Sequence, residues 1–170
     1  DPHAIYDQPT IVQPRAAGSV LGFDFIALKS ALGTPVIVDT DGELRWVATG
    51  ITNSISTAFK DNAFVIGEQM STNFRRLELD GSMTAGYLIS PTYTTFHHNI
   101  DAGKSGLLAD VDVRIEGATS IESILAEFND TGAVIAVWDL AAILSTYMLD
   151  HGDDPGTFVR PGVDWFHMNA

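Results

Sequence analysis

A histidine and an asparagine two residues apart occur at two places in this chain, each time behind a phenylalanine. The last seven residues read Asp164-Trp165-Phe166-His167-Met168-Asn169-Ala170, and Phe96-His97-His98-Asn99 is an upstream copy. Aligned on the phenylalanines, His97 matches His167 and Asn99 matches Asn169. Neutral imidazole gives or takes a proton near neutral pH, and a carboxamide donates two hydrogen bonds without adding charge. Two such pairs converging on one place would bind an anion or shuttle protons. The plainer reading makes each histidine a polar cap on an apolar strand, satisfied by backbone. Recurrence of His-x-Asn in register favours function. Two histidines with no nearby carboxylate cluster are a weak metal site, so neither metal nor cofactor is expected.

Alternation along an extended strand puts His97 and Asn99 on one side and His98 on the other, with Met168. Parity therefore ranks His97 above His98. Tyr93 and Tyr87 precede this strand and could stack on an aryl group, although a core or rim role is the plainer one. Arg75 and Arg76 read as solvated charge, and Asp150, His151, Asp153 and Asp154 as a wet loop with oxygen ligands for a cation.

The elements that must position these residues are hairpins. Val36–Trp46 is an apolar run, an Asp-Gly turn and an alternating run ending in Trp; Arg75–Met83 repeats the Asp-Gly pattern. Leu125–Trp138 is a third copy with Thr-Gly at the turn. The three turn glycines, Gly42, Gly81 and Gly132, lie 39 and then 51 residues apart. Between them, Ser56–Glu68 reads as a hairpin around Lys60-Asp61-Asn62, and Thr94–Ile100 with Gly106–Ile115 as another. Four strands per 40 to 50 residues is the period of a β-propeller blade. A β-sandwich with regular turns is the alternative.

By this division residues 1–35 are an arm or linker with a short edge strand at Thr10–Gln13 and a weak strand within Leu21–Leu32. Residues 36–170 are a partial propeller: the end of one blade at 36–46, blades at about 52–89 and 94–138, and the start of another at 164–170. Asp139–Leu149 carries apolar residues at helical spacing, with Asp139 to cap it and Gly152 and Pro155 to end it. The chain thus reads as all-β, roughly three blades with one short helical insert. Open blades expose strand edges, so further blades from another chain or from missing sequence are expected, and a homo-oligomer is compatible.

Of 170 residues, 45% are hydrophobic and 18% charged, as in a packed globular protein. Lys+Arg number 9 against 22 Asp+Glu, a formal charge of −13. That field repels nucleic acid and anionic lipid, which excludes both as partners. No apolar run approaches the roughly 20 residues of a membrane helix. There is no cysteine, and the first residue is not Met, which fits a processed, exported protein.

The run D-W-F-H-M-N at 164–169, the F-H-H at 96–98 and V-D-T-D-G-E-L-R-W at 38–46 resemble the aryl-sulfate sulfotransferase family. So does the order V-W-D-L (137–140), helical insert, D-W-F-H-x-N. The resemblance covers about 36–170, with D-W-F-H-x-N its most specific part. It implies a six-bladed propeller that moves a sulfuryl group from a phenolic sulfate donor to a phenol acceptor, without a nucleotide donor, through a sulfohistidine. Carried over by motif, His167 and Asn169 match the family's active-site His-x-Asn, and His97, or else His98, matches a further active-site histidine. Asn99 and Tyr93 would be substrate-binding. The family's sulfurylated histidine and a sulfate-binding arginine lie beyond the last residue here, so the chain alone is expected not to turn over. A periplasmic or extracellular location follows from the resemblance. The rival reading is a propeller module that binds a ligand or assembles without catalysis.

Overall fold

The computed structural model describes residues 10–29, 34–51, 54–68, 71–115, 118–160 and 165, with backbone alone at 55, 114, 115 and 118–123. Its strands form three antiparallel sheets, each a meander in chain order. The first sheet is β1 (Phe25–Lys29), β2 (Pro35–Asp39) and β3 (Leu44–Val47). The second is β4 (Ser54–Lys60), β5 (Ala63–Glu68), β6 (Asn73–Glu78) and β7 (Met83–Tyr87). The third is β8 (Tyr93–Ala102), β9 (Leu107–Ile115), β10 (Ala118–Phe128) and β11 (Val134–Asp139). Among the described residues the chain is all-β with one short α-helix, α1 (Leu140–Asp150).

Local chemistry fixes the hairpins. The turns at Asp39–Glu43, Glu78–Ser82 and Asn129–Ala133 share one hydrogen-bond pattern. In each, the first residue's N–H donates to the fifth residue's carbonyl (2.9, 2.9 and 3.0 Å), and the glycine at position four donates back to the first (3.0, 3.0 and 2.8 Å). That glycine sits at φ +80°, +87° and +85°, where a side chain is strained. Asp39 Oδ1 accepts from the amides of Asp41 and Glu43, and Asn129 Oδ1 from those of Thr131 and Ala133. Asp-Asn at 61–62 makes the tight β4–β5 turn with both residues at positive φ.

Packing then stacks the sheets. β5 is covered on both faces, so its run Ala63–Gly67 is continuously buried. Phe64 and Ile66 meet the first sheet, with the Trp46 indole stacked on Phe64 at 5.2 Å and its N–H donating to Leu79 O. Val65, Ala58 and Phe74 meet the third sheet at Phe96, Leu107, Val111 and Phe128. Each large apolar side chain so buried contributes about 1.5–3 kcal/mol. The first strands of the second and third sheets, β4 and β8, lie against each other, and β1 lies against β4.

Asp139 caps α1 through Ala142 N at 2.9 Å, and Gly152 at φ +83° follows its end, as the sequence expects. The helix packs on β10 and β11 and leaves Ile143 and Tyr147 exposed, so only part of its expected apolar face is covered by described residues. Thr10–Gln13 form no strand. Ile11 instead lies over the first turn at Gly42, and Arg15 pairs with Asp41 at 2.7 Å. No described helix is long and apolar enough to cross a membrane.

Candidate functional site

Two paired positions bracket the Phe-His-His-Asn motif on β8. Phe96 pairs with Val111 and Ile100 with Ala109, so His97, His98 and Asn99 face a single residue, Asp110. This is a bulge, and it costs the strand its regular ladder bonds. Asp110, itself buried, replaces them: its Oδ1 accepts from the amides of His98 (3.0 Å) and Asn99 (2.8 Å).

Two further buried side chains fix the motif. Asp112 Oδ1 lies 2.7 Å from His97 Nδ1, and its Oδ2 accepts from the Thr95 hydroxyl at 2.6 Å. A carboxylate only accepts, so Nδ1 carries the hydrogen and the neutral ring holds its lone pair on Nε2. Buried carboxylates are costly unless hydrogen-bonded, and both of these are. From the neighbouring sheet, Ser56 on β4 bonds the Asn99 side-chain oxygen and accepts from Ile100 N at 2.8 Å.

The bulge changes the expected facing. The rings of His97 and His98 meet edge to face, 4.3 Å between centroids, which strict alternation would forbid. Among the described residues, His97 reaches back to Asp112 on β9 of its own sheet, and Asn99 across to Ser56 on β4. Extra residues in a strand break the period-two rule on which the parity argument rests.

A sequence profile of the family described as Arylsulfotransferase (ASST) matches residues 13–170. The chain belongs to the arylsulfotransferase family. Membership suggests an aryl sulfotransferase-type function, with phenolic substrates. No curated protein matches the chain significantly.

In this arylsulfotransferase chain His167 and Asn169 lie outside the described residues. Trp165 is described, half-buried and edge-to-face with Phe158 at 5.4 Å. Tyr93 packs against the core shared by the second and third sheets. Burial, and secondarily the negative charge of Asp139, push its phenol above the ordinary value. Tyr87 is exposed. Arg76 pairs with Glu78 at 2.6 Å and donates to the Asp61 carbonyl, so it braces the β4–β5 turn; Arg75 pairs with Glu68 at 3.1 Å. Asp154 accepts from Gly156 N in a single 3-10 turn, and His151 Nδ1 lies on Tyr147 O. Among the described residues no group of three or more His, Cys, Asp or Glu could hold a metal ion.

Sequence reasoning missed Asp110, Asp112, Thr95 and Ser56. A signal existed for two of them. Leu107-Leu108-Ala109-Asp110-Val111-Asp112-Val113 sets two acids in an otherwise apolar strand, and a buried acid needs a partner. Ser56 carries no such mark.

Proposed function

We propose that this chain forms part of a β-propeller active site that transfers a sulfuryl group from a phenolic sulfate ester to a phenol. The observation that carries the reading is the His97–Asp112–Thr95 arrangement on the family's Phe-His-His motif. In-order four-stranded meanders, stacked through their faces with first strands adjacent, support the propeller.

In the first half-reaction the donor's S–O bond breaks and an S–N bond forms to a histidine nucleophile. The family resemblance puts that histidine outside these 170 residues. The departing phenolate needs a proton, and the His97 imidazolium, hydrogen-bonded to Asp112 through Nδ1, is suited to supply it from Nε2. In the second half-reaction the acceptor's oxygen attacks sulfur, the S–N bond breaks, and Nε2 takes the acceptor's proton back. Asp112 stabilises the imidazolium that begins and ends the cycle and holds the neutral ring between these events in one tautomer, with its hydrogen on Nδ1. Proton transfer by a positioned group is worth about 10²–10⁴-fold in rate. The loose anionic sulfuryl group is stabilised by N–H donors aimed at its oxygens, a role open to Asn99 and Asn169.

The test uses p-nitrophenyl sulfate with a phenol acceptor and the chain completed by its remaining blades. Expected are acceptor-dependent nitrophenolate release, ping-pong kinetics, a mass gain of one sulfuryl group on the protein, and a loss of about 10²-fold or more for His97→Gln. Release unaffected by His97→Gln removes His97 from the mechanism. Binding of the aryl sulfate with no release at all makes the protein a non-catalytic module.

A further inference from the structure

We infer that Ser56 is a positioning residue for sulfuryl transfer: it holds the Asn99 carboxamide by its oxygen and so presents the amide NH2 to the oxygens of the sulfuryl group. This rests on the transfer proposed above and adds to it a residue from a second sheet.

Ser56 lies on β4 and is 2% exposed, whereas Asn99 lies on β8 and is half-buried. A serine hydroxyl has one hydrogen to give and two lone pairs. Ser56 Oγ accepts from Ile100 N at 2.8 Å and stands 2.5 Å from Asn99 Oδ1. That second length suits O–H···O, which runs from about 2.5 to 3.0 Å, and is short for N–H···O at about 2.7 to 3.2 Å. The Ile100 carbonyl, at 3.2 Å, is the weaker place for the hydrogen. The serine therefore donates to Asn99, and the end of the carboxamide that faces it is the oxygen.

Asn99 is fixed at a second point. Its backbone N–H donates to Asp110 Oδ1 of the third sheet at 2.8 Å, while its side chain is held from the second sheet. With main chain and carbonyl oxygen both tied, the planar amide has its NH2 turned away from Ser56.

That orientation sets the sign of what Asn99 does. Sulfuryl oxygens only accept hydrogen bonds, and the chain carries a formal charge of −13, with Asp110 and Asp112 at the motif itself. An NH2 offers such a group donors, and a carbonyl oxygen in the same place would repel it. The two ends of a carboxamide are nearly equal in size, so packing does not choose between them. The Ser56 hydroxyl does. Ser56 is buried and acts through Asn99.

The test is a double-mutant cycle on the chain completed by its remaining blades, with p-nitrophenyl sulfate and a phenol acceptor. Asn99→Ala should lower kcat/KM about 10²-fold, as for one donor to a developing anion. Ser56→Ala frees the amide to turn over and should lower it about ten-fold or more. In the Asn99→Ala background the same substitution should cost less than about two-fold, because the two residues act as a unit. The pH profile of kcat/KM should keep its shape, since the His97–Asp112 pair is kept. Asn99→Asp retains an oxygen for Ser56 and exchanges the NH2 for a second oxygen, so it should fold and lose more activity than Asn99→Ala. Equal losses from Ser56→Ala in both backgrounds overturn the inference and leave Ser56 a structural residue. No loss, a displaced pH profile, or an Asn99→Asp chain as active as Asn99→Ala overturns it too. If Ser56→Ala fails to fold, Ser56→Cys, close in size and a weak donor, goes through the same cycle. A parent that transfers no sulfuryl group removes the proposed function and this inference with it; transfer without coupling between Ser56 and Asn99 removes the inference alone.

Discussion

Ser56 and Asn99 lie on the first strands of two different sheets, 43 residues apart, and the Ser56 hydroxyl bonds the Asn99 side-chain oxygen. The same hydroxyl oxygen accepts from Ile100 N, so one buried atom joins β4 to the end of the β8 bulge.

Ser56→Ala removes both bonds in a dry place and strands the Ile100 amide. The expected loss is about 1–3 kcal/mol of stability, read by urea unfolding. A loss below about 0.5 kcal/mol would mean that the two sheets do not depend on this contact.

Asp112→Asn tests the hold on His97. Asparagine can present either an oxygen or an N–H to Nδ1, so the ring loses its fixed tautomer. Nitrogen-15 NMR of the imidazole should show the Nδ1–H form in the parent and a mixture in the variant. A single unchanged tautomer in the variant would show that the ring is set by other contacts.

The turn glycines separate backbone strain from steric contact. All three carry positive φ, but an added Cβ at Gly81 meets nothing, while at Gly132 it falls 1.8 Å from the Tyr87 carbonyl oxygen. Gly81→Ala should cost about 1–2 kcal/mol, the penalty of one left-handed residue. Gly132→Ala should cost more, about 3 kcal/mol or above, because the third turn would have to leave the β7–β8 connection. Equal costs in thermal unfolding would contradict the contact between Gly132 O and Ile89 N.

Acid sensitivity follows from Asp39. Burial raises its carboxyl, but hydrogen bonds from Glu43, Arg45 and Asp41 outweigh this and hold it below the ordinary value of 3.8. A depressed folded-state value contributes stability above 3.8 that is lost as pH falls through the folded value. Asn129 makes the equivalent turn with a carboxamide, so Asp39→Asn should keep the hairpin. Its midpoint should fall less steeply than the parent's from about pH 5 to about pH 2. Parallel curves would count against Asp39 as an acid-labile group.

The hairpins were legible in the residues because turn chemistry is local. Asp39, Gly42, Asp61, Asn62, Gly81 and Gly132 fix φ signs and side-chain-to-backbone bonds within about five residues of themselves. The helix was legible for the same reason, with Asp139 at one end and Gly152 at the other. The motif residues His97, His98 and Asn99 were visible as types and spacing, and so was their likeness to the arylsulfotransferase family. Their facing was not. Period-two reasoning assumes an unbroken ladder, and this one is broken by a bulge.

Sequence alone therefore determined the hairpins and their turns, but not the absence of a strand at Thr10–Gln13, and it marked the histidines and asparagines by type and spacing without the acids that hold them. The tertiary structure decided how those residues point. Asp110 and Asp112 reach the motif only because β9 pairs beside β8, and Ser56 only because a second sheet packs against the third. Such partners are set by which faces bury together, a property of the whole packed core that no local stretch of sequence encodes.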